Sequence, residues 1–194
     1  AATWTMVSPD ELSGHPAVRV GVSDLSAALV ARAHSLELDA GAPPDRRVIL
    51  QLSEATSGPE GYSWENSENT LSLSARTPLA IAYGLCRIAW LTRATGVFPP
   101  EDHSESPELP YRIYSSGSVA PVSQEGPSGT PEDIARALEA FRVDLAHAVR
   151  LGFNHVAVYG LEQVVPWEDP HYGPRSARYR AYLKAYIEEA HATG

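Results

Sequence analysis

Cysteine is nearly absent: Cys86 is the single thiol in 194 residues. One thiol excludes an internal disulfide and a multi-cysteine metal site. Histidine is present, but His103, His147, His171 and His191 show no ligand spacing, so no metal is expected. No glycine-rich phosphate loop follows a strand and no G-x-S-x-G elbow occurs. Nucleotide binding and serine-hydrolase chemistry therefore have no support, and no cofactor is expected. No run of about 18 apolar residues exists, so no membrane span or membrane partner is expected. The opening AATWTMVSPDEL has neither a basic start nor an apolar core, so no signal peptide is visible, and the compartment stays unassigned. Basic residues are scarce as well, 15 against 24 acidic ones, for a net charge of −9. Phosphate backbones need clustered Lys and Arg, so a nucleic-acid partner is not expected.

What is present reads as two parts. Val18 to Val22 alternates like a strand. Ser23 or Asp24 then caps a helix through Leu25, Leu29 and Leu36, ended by Gly41-Ala-Pro-Pro. Arg47 to Ser53 is a strand with Val48, Leu50 and Leu52 on one face. Ser57-Gly58-Pro59 is a turn. Gly61 to Glu65 and Thr70 to Ala75 form an antiparallel hairpin with Asn66 to Asn69 at its tip. Thr77 and Pro78 supply an N-cap hydroxyl and a proline at the first helical position. Leu79, Tyr83, Cys86 and Trp90 keep helical spacing, and Gly96 stops the helix. The expected fold class here is α+β, a small sheet with helices on one face.

Val97 to Pro110 is rich in Pro, Glu and Ser and reads as a linker. Beyond it come a short strand, Tyr111 to Ser115, a loop from Gly117 to Gly129, and a helix opened by Thr130-Pro131-Glu132-Asp133. That helix carries Ile134, Leu138, Phe141, Leu145 and Val149 on one face and closes at Gly152. Asn154 to Tyr159 is a second strand. A long loop to Pro174 precedes a last helix whose stripe is Tyr179, Tyr182, Leu183, Tyr186, Ile187 and Ala190. Strand, helix, strand, helix opens a parallel α/β unit. Two parallel strands cannot bury both faces, so residues 106–194 are expected to be the first, truncated βαβα of a (β/α)8 barrel, with residues 1–105 as a separate α+β domain.

Three segments carry a family resemblance. Gly58-Pro59-Glu60-Gly61-Tyr62, Thr70-Leu-Ser-Leu-Ser-Ala75 and Ala82-Tyr83-Gly84-Leu85 stand in the order and spacing of an accessory domain. That domain resembles those preceding the barrel in glycoside hydrolase family 20, the β-N-acetylhexosaminidases, and family 67, the α-glucuronidases. The resemblance implies a parent that hydrolyses an O-glycosyl bond, of an N-acetylhexosaminide first and a glucuronide second, with an oligosaccharide or glycoconjugate as partner. Pro110-Tyr111-Arg112 looks like the family 20 motif that opens the first barrel strand, which makes Arg112 a sugar-binding candidate. Ile113-Tyr-Ser-Ser departs from the family continuation. The family's catalytic Asp-Glu pair follows the fourth barrel strand, so no catalytic residue is expected here and the fragment is expected to be inactive.

Other residues qualify by position. Glu162, Glu168 and Asp169 lie on the loop after the second strand, the face where barrel active sites form. Trp167 and Tyr172 could wall a pocket there. We take Arg112, Glu162 and Trp167 as substrate-binding candidates, with solvated or structural roles as the competing reading. His155 reads as a core or interface histidine. Two other readings remain open: a non-catalytic brace or carbohydrate-contacting module, and a homo-oligomer that completes the α/β layer.

Overall fold

The computed structural model describes residues 2–38, 45–56, 58–116, 130–157 and 173–194, with 173–179 described by backbone alone. They form two compact units, Ala1–Pro110 with Val149–Gly152, and Tyr111–Ala148 with Phe153–Gly194.

Unit 1 is a six-stranded mixed sheet against helices. Its elements are β1 (Thr3–Val7), α1 (Asp10–Ser13), α2 (Pro16–Val30), β2 (Ser35–Leu38), β3 (Arg47–Leu52), β4 (Tyr62–Ser67), β5 (Thr70–Ala75), α3 (Pro78–Thr95) and β6 (His103–Glu105). The spatial order is β2-β1-β3-β5-β4-β6. The first four are mutually parallel, while β4 runs antiparallel to both β5 and β6. Parallel neighbours need a crossover, and α2 supplies it between β1 and β2. The unit is thus a mixed α/β layer rather than a segregated α+β one.

Strand alternation puts Trp4, Met6, Val48, Leu50, Tyr62, Trp64, Leu71, Leu73 and Ala75 on one face, buried with Leu25 and Leu29 of α2 and Ile81, Leu85 and Ile88 of α3. Each fully buried side chain of this size contributes about 1.5–3 kcal/mol relative to exposure. The opposite face is polar: Gln51, Ser63, Ser72 and Ser74 lie there, with Gln51 Nε2 donating to Ser74 Oγ at 2.6 Å.

The ends of α3 are where the sequence places them. The Thr77 hydroxyl accepts the Ala80 N–H, Pro78 follows it, and Gly96 adopts the left-handed conformation at φ 76°. Cys86 is buried, and burial pushes its thiol up to about 12. Trp90 breaks the expected stripe, being 54 % exposed.

Several expectations change. Val18 to Val22 is not a strand but the middle of α2. Its valines alternate, yet the burial of Val18, Gly21, Leu25, Ala28 and Leu29 follows helical spacing, and Pro16 opens the first turn. That helix ends at Val30, and Leu36 belongs to β2 instead. Thr3–Val7, unassigned from sequence, is a central strand with Trp4 and Met6 in the core. Within the expected linker, His103–Glu105 pairs with β4 as an edge strand. The first hairpin strand also runs further than expected, to Ser67, while the second keeps its expected bounds, and Glu68 turns the chain at φ 44°.

Unit 2 contains β7 (Ile113–Ser115), α4 (Pro131–Arg150) up to Ala148, β8 (His155–Ala157) and α5 (Gly173–Thr193). β7 and β8 pair in parallel. The Thr130 hydroxyl accepts the Asp133 N–H at 3.2 Å and caps α4, while Gly152 leaves it at φ 75°. Phe141 stacks on Tyr186 with centroids 4.5 Å apart, and Tyr182 meets Tyr186 edge-on. Arg142 grips Glu189 through two 2.8 Å bonds between α4 and α5. Ile187, expected in the buried stripe, is half exposed, and His155 is exposed rather than a core residue.

At Gly21, α2 approaches α3 closely. A Cβ there would lie 2.7 Å from Leu85 Cβ and 3.1 Å from the Ala82 carbonyl oxygen. Alanine improves helix propensity by about 1 kcal/mol, but overpacking of this kind costs about 1–3 kcal/mol. The balance of the two predicts that Gly21→Ala lowers unfolding stability by about 0–2 kcal/mol in urea melts. A variant clearly more stable than the parent would show that the two helices are not in close contact.

Candidate functional site

Arg112 stands immediately before β7 and is held by main-chain bonds. Its N–H donates to Asn154 Oδ1 at 2.8 Å, and its carbonyl accepts from the N–H groups of Asn154 and His155, both at 3.1 Å. Tyr111 meets the His155 ring edge-on at 5.3 Å. The Pro-Tyr-Arg segment and the Asn154 turn thus set the register of the parallel pair. At the other end of β7, the buried Ser116 donates to Asp144 Oδ2 of α4 at 2.6 Å. In parallel barrels the catalytic loops follow the C-terminal strand ends, so Ser115 and Ser116 mark that end of β7 and Arg112 the other. Glu162 and Trp167 lie outside the described residues, as do Glu168, Asp169, His171 and Tyr172. Among the described residues no group of His, Cys, Asp and Glu could hold a metal ion. No described helix is long and apolar enough to cross a membrane.

Unit 1 holds a cluster that sequence reasoning missed. β6 places His103 and Glu105 on the core side of the sheet edge, opposite Trp64 and Tyr62 of β4. The His103 ring lies 4.7 Å from the Trp64 ring, and Trp64 Nε1 donates to the Glu101 carbonyl at 2.8 Å. His103 Nε2 sits 3.1 Å from Glu105 Oε2, and Arg87 Nε of α3 sits 3.6 Å from the same oxygen. The Tyr62 hydroxyl also bonds Glu105. Burial first, then the neighbouring carboxylate, raises the Tyr62 phenol far above its ordinary range. Burial pushes Glu105 upward, but the hydrogen bonds from His103 and Tyr62 and the Arg87 charge outweigh it and hold the carboxyl below its usual value. Arg87 completes the cluster by setting its guanidinium carbon 4.7 Å from the centroid of the Trp90 ring. The signal was the alternating His-Ser-Glu of 103–105, hidden by the prolines around it.

No protein-family model matches the chain, and no curated protein matches it. Solved structures do. One is a family 138 glycoside hydrolase described as targeting pectin rhamnogalacturonan II, at 15% identity, covering 98% of this chain and 24% of that one with a TM-score of 0.62. Another is a family 115 4-O-methyl-α-glucuronidase with specificity for decorated arabinogalactans, at 14% identity, covering 92% and 28% with a TM-score of 0.52. The chain therefore spans about a quarter of the length of the structures it matches. At these identities the likeness is one of fold. It makes the fold glycoside-hydrolase-like and does not single out families 20 or 67.

The Glu105 environment has a pH signature. A carboxyl held down in the folded state stabilises the fold above its unfolded value, about 4.3, and that contribution is lost as the pH falls through the folded value. Glu105 is 42% exposed, so solvent screening keeps the effect small. Glu105→Gln should cost about 0.5–1 kcal/mol in urea melts at neutral pH. The difference should shrink as the pH is taken to about 3. A gap of equal size at both pH values would contradict a charge-based role.

Proposed function

We propose that this chain is part of a longer glycoside hydrolase. Residues 1–105 would be its accessory domain and residues 106–194 the opening of its catalytic barrel. The observation that supports this best is that nearly the whole chain superposes on part of a glycoside hydrolase, with TM-score 0.62 over 98% of its length. The parallel β7–β8 pair with α4 and α5 behind it is the unit from which such barrels are built. The reaction is hydrolysis of an O-glycosyl bond, which needs two carboxylic groups, or one acid and a substrate acetamido group. We expect those groups after a later strand of the barrel, and the isolated chain to be inactive.

The motifs at Gly58–Tyr62 and Pro110–Arg112 favour an N-acetylhexosaminide substrate. A glucuronide is the second reading, favoured by the fold likeness to a 4-O-methyl-α-glucuronidase. We assign sugar contact to Glu162 and Trp167, and to Arg112 as one of two roles, since it stands at the N-terminal end of β7, away from the strand ends where barrel active sites form. A guanidinium presents a rigid fork of donors suited to paired oxygens. The competing role for Arg112 is anchoring of β7, favoured by its main-chain bonds to Asn154 and His155.

Chromogenic N-acetylglucosaminide and 4-O-methylglucuronide, offered to the longer protein and to the 194-residue chain, separate these readings. Turnover is expected from the former and none from the latter. In the longer protein Arg112→Ala should remove charge-assisted hydrogen bonds worth about 1.5–3 kcal/mol each. That is a fall in kcat/KM of about tenfold to a hundredfold. Arg112→Lys should recover part of it. Absence of turnover on any glycoside would overturn the enzymatic reading. A well-folded Arg112→Ala enzyme of normal activity would assign Arg112 to anchoring.

A further inference from the structure

Trp90 follows the helical spacing of buried residues in α3, yet the fold turns it outward. Its ring does not stand by itself. Arg87, one turn earlier, lies against it, and Arg87 leads to Glu105, which leads to His103. The side chains of Arg87, Glu105 and His103 are 39%, 42% and 36% exposed, so each is held by the fold and still meets solvent. His103 is backed by the buried Trp64 ring, and Glu105 by the buried Tyr62. The result is one aromatic plate with the Arg87 guanidinium over one face, continued by a pre-positioned acceptor and imidazole, all on α3 and β6 of unit 1.

We propose that this row is a contact site for neutral pyranose units of an oligosaccharide. The proposal rests on the carbohydrate reading above and names a place for it on unit 1. A pyranose has an apolar C–H face and hydroxyls that both donate and accept. An exposed indole offers a flat apolar surface to the first. The guanidinium donates, the carboxylate accepts, and the imidazole can do either, which matches the second. A neutral sugar fits better than an acidic one, because the guanidiniums beside Trp90 are already paired, Arg87 with Glu105 and Arg93 with Asp24. A protein partner is the competing occupant, because Trp and Arg are also the residues enriched at protein hot spots, and the test below separates the two.

The test uses the 194-residue chain titrated with N-acetylchitotetraose, cellotetraose and an oligogalacturonate, followed by calorimetry and tryptophan emission. An open, shallow site predicts a Kd on the order of 1 mM for at least one neutral sugar. Trp90→Ala should weaken it at least about tenfold. Trp90→Phe should retain part of the binding, and Arg87→Ala should lose part. Melting curves check that each variant folds. Lack of binding to both neutral sugars, binding indifferent to Trp90→Ala, or preference for the oligogalacturonate would overturn the proposal. So would Trp90-dependent self-association in sedimentation, which would make the patch a protein contact. Hydrolysis of a small chromogenic glycoside by the longer protein is read separately, so failure of this site is distinguishable from failure of the glycosidase reading.

Discussion

Gly21 lets α2 approach α3 until an added methyl group would sit 2.7 Å from Leu85 Cβ, and the sheet packs on both helices together. That closeness fixes the rest of unit 1. With the helices drawn together, one face of β1, β3, β5 and β4 is covered by a single apolar layer, and Trp4, Leu50, Leu73 and Trp64 all enter it. Protein interiors have crystal-like density, so an error at one helix contact is transmitted through the layer. The other face can then be polar, and Gln51, Ser63, Ser72 and Ser74 occupy it.

The same layer ends in chemistry. Where α3 meets the edge of the sheet, the core stops at Tyr62 and Trp64 and the polar row begins with His103 and Glu105. β6 is short, as edge strands commonly are. The backing aromatics and the Arg87 charge locate its two ionisable side chains. A folded scaffold thus presents groups whose rotamers are set by packing, which is the condition for recognising a ligand without much ordering cost.

How much of this was legible depends on whether the signal was local. The start and stop of α3 are written in Thr77, Pro78 and Gly96, and the β4–β5 hairpin in its alternation, so both were readable. The cap of α4 at Thr130 was readable for the same reason. Val18 to Val22 misled because three alternating valines mimic a strand, while the burial that decides the matter comes from the distant α3. Trp90 misled in the opposite sense: its spacing is that of a buried residue, but it is exposed, with Arg87 over its ring. The row of Trp90, Arg87, Glu105 and His103 could not be read at all. It joins residues from two elements whose pairing depends on β6, and β6 was masked by prolines. For the barrel-side candidates, Arg112 has a defined place before β7, while Glu162 and Trp167 fall outside the described residues.

Hydrogen–deuterium exchange on the 194-residue chain tests most directly whether unit 1 is a self-sufficient fold and the β7–β8 pair is part of something larger. Exchange protection tracks the free energy of local opening. If the one-faced sheet on α2 and α3 is the stable core, the slowest amides will lie in β1, β3, β5 and α3. A two-stranded parallel pair cannot bury both its faces, so β7 and β8 should exchange faster by orders of magnitude. Equal protection of β7–β8 and of β3–β5 would contradict that division and would mean that the two-stranded sheet is already complete.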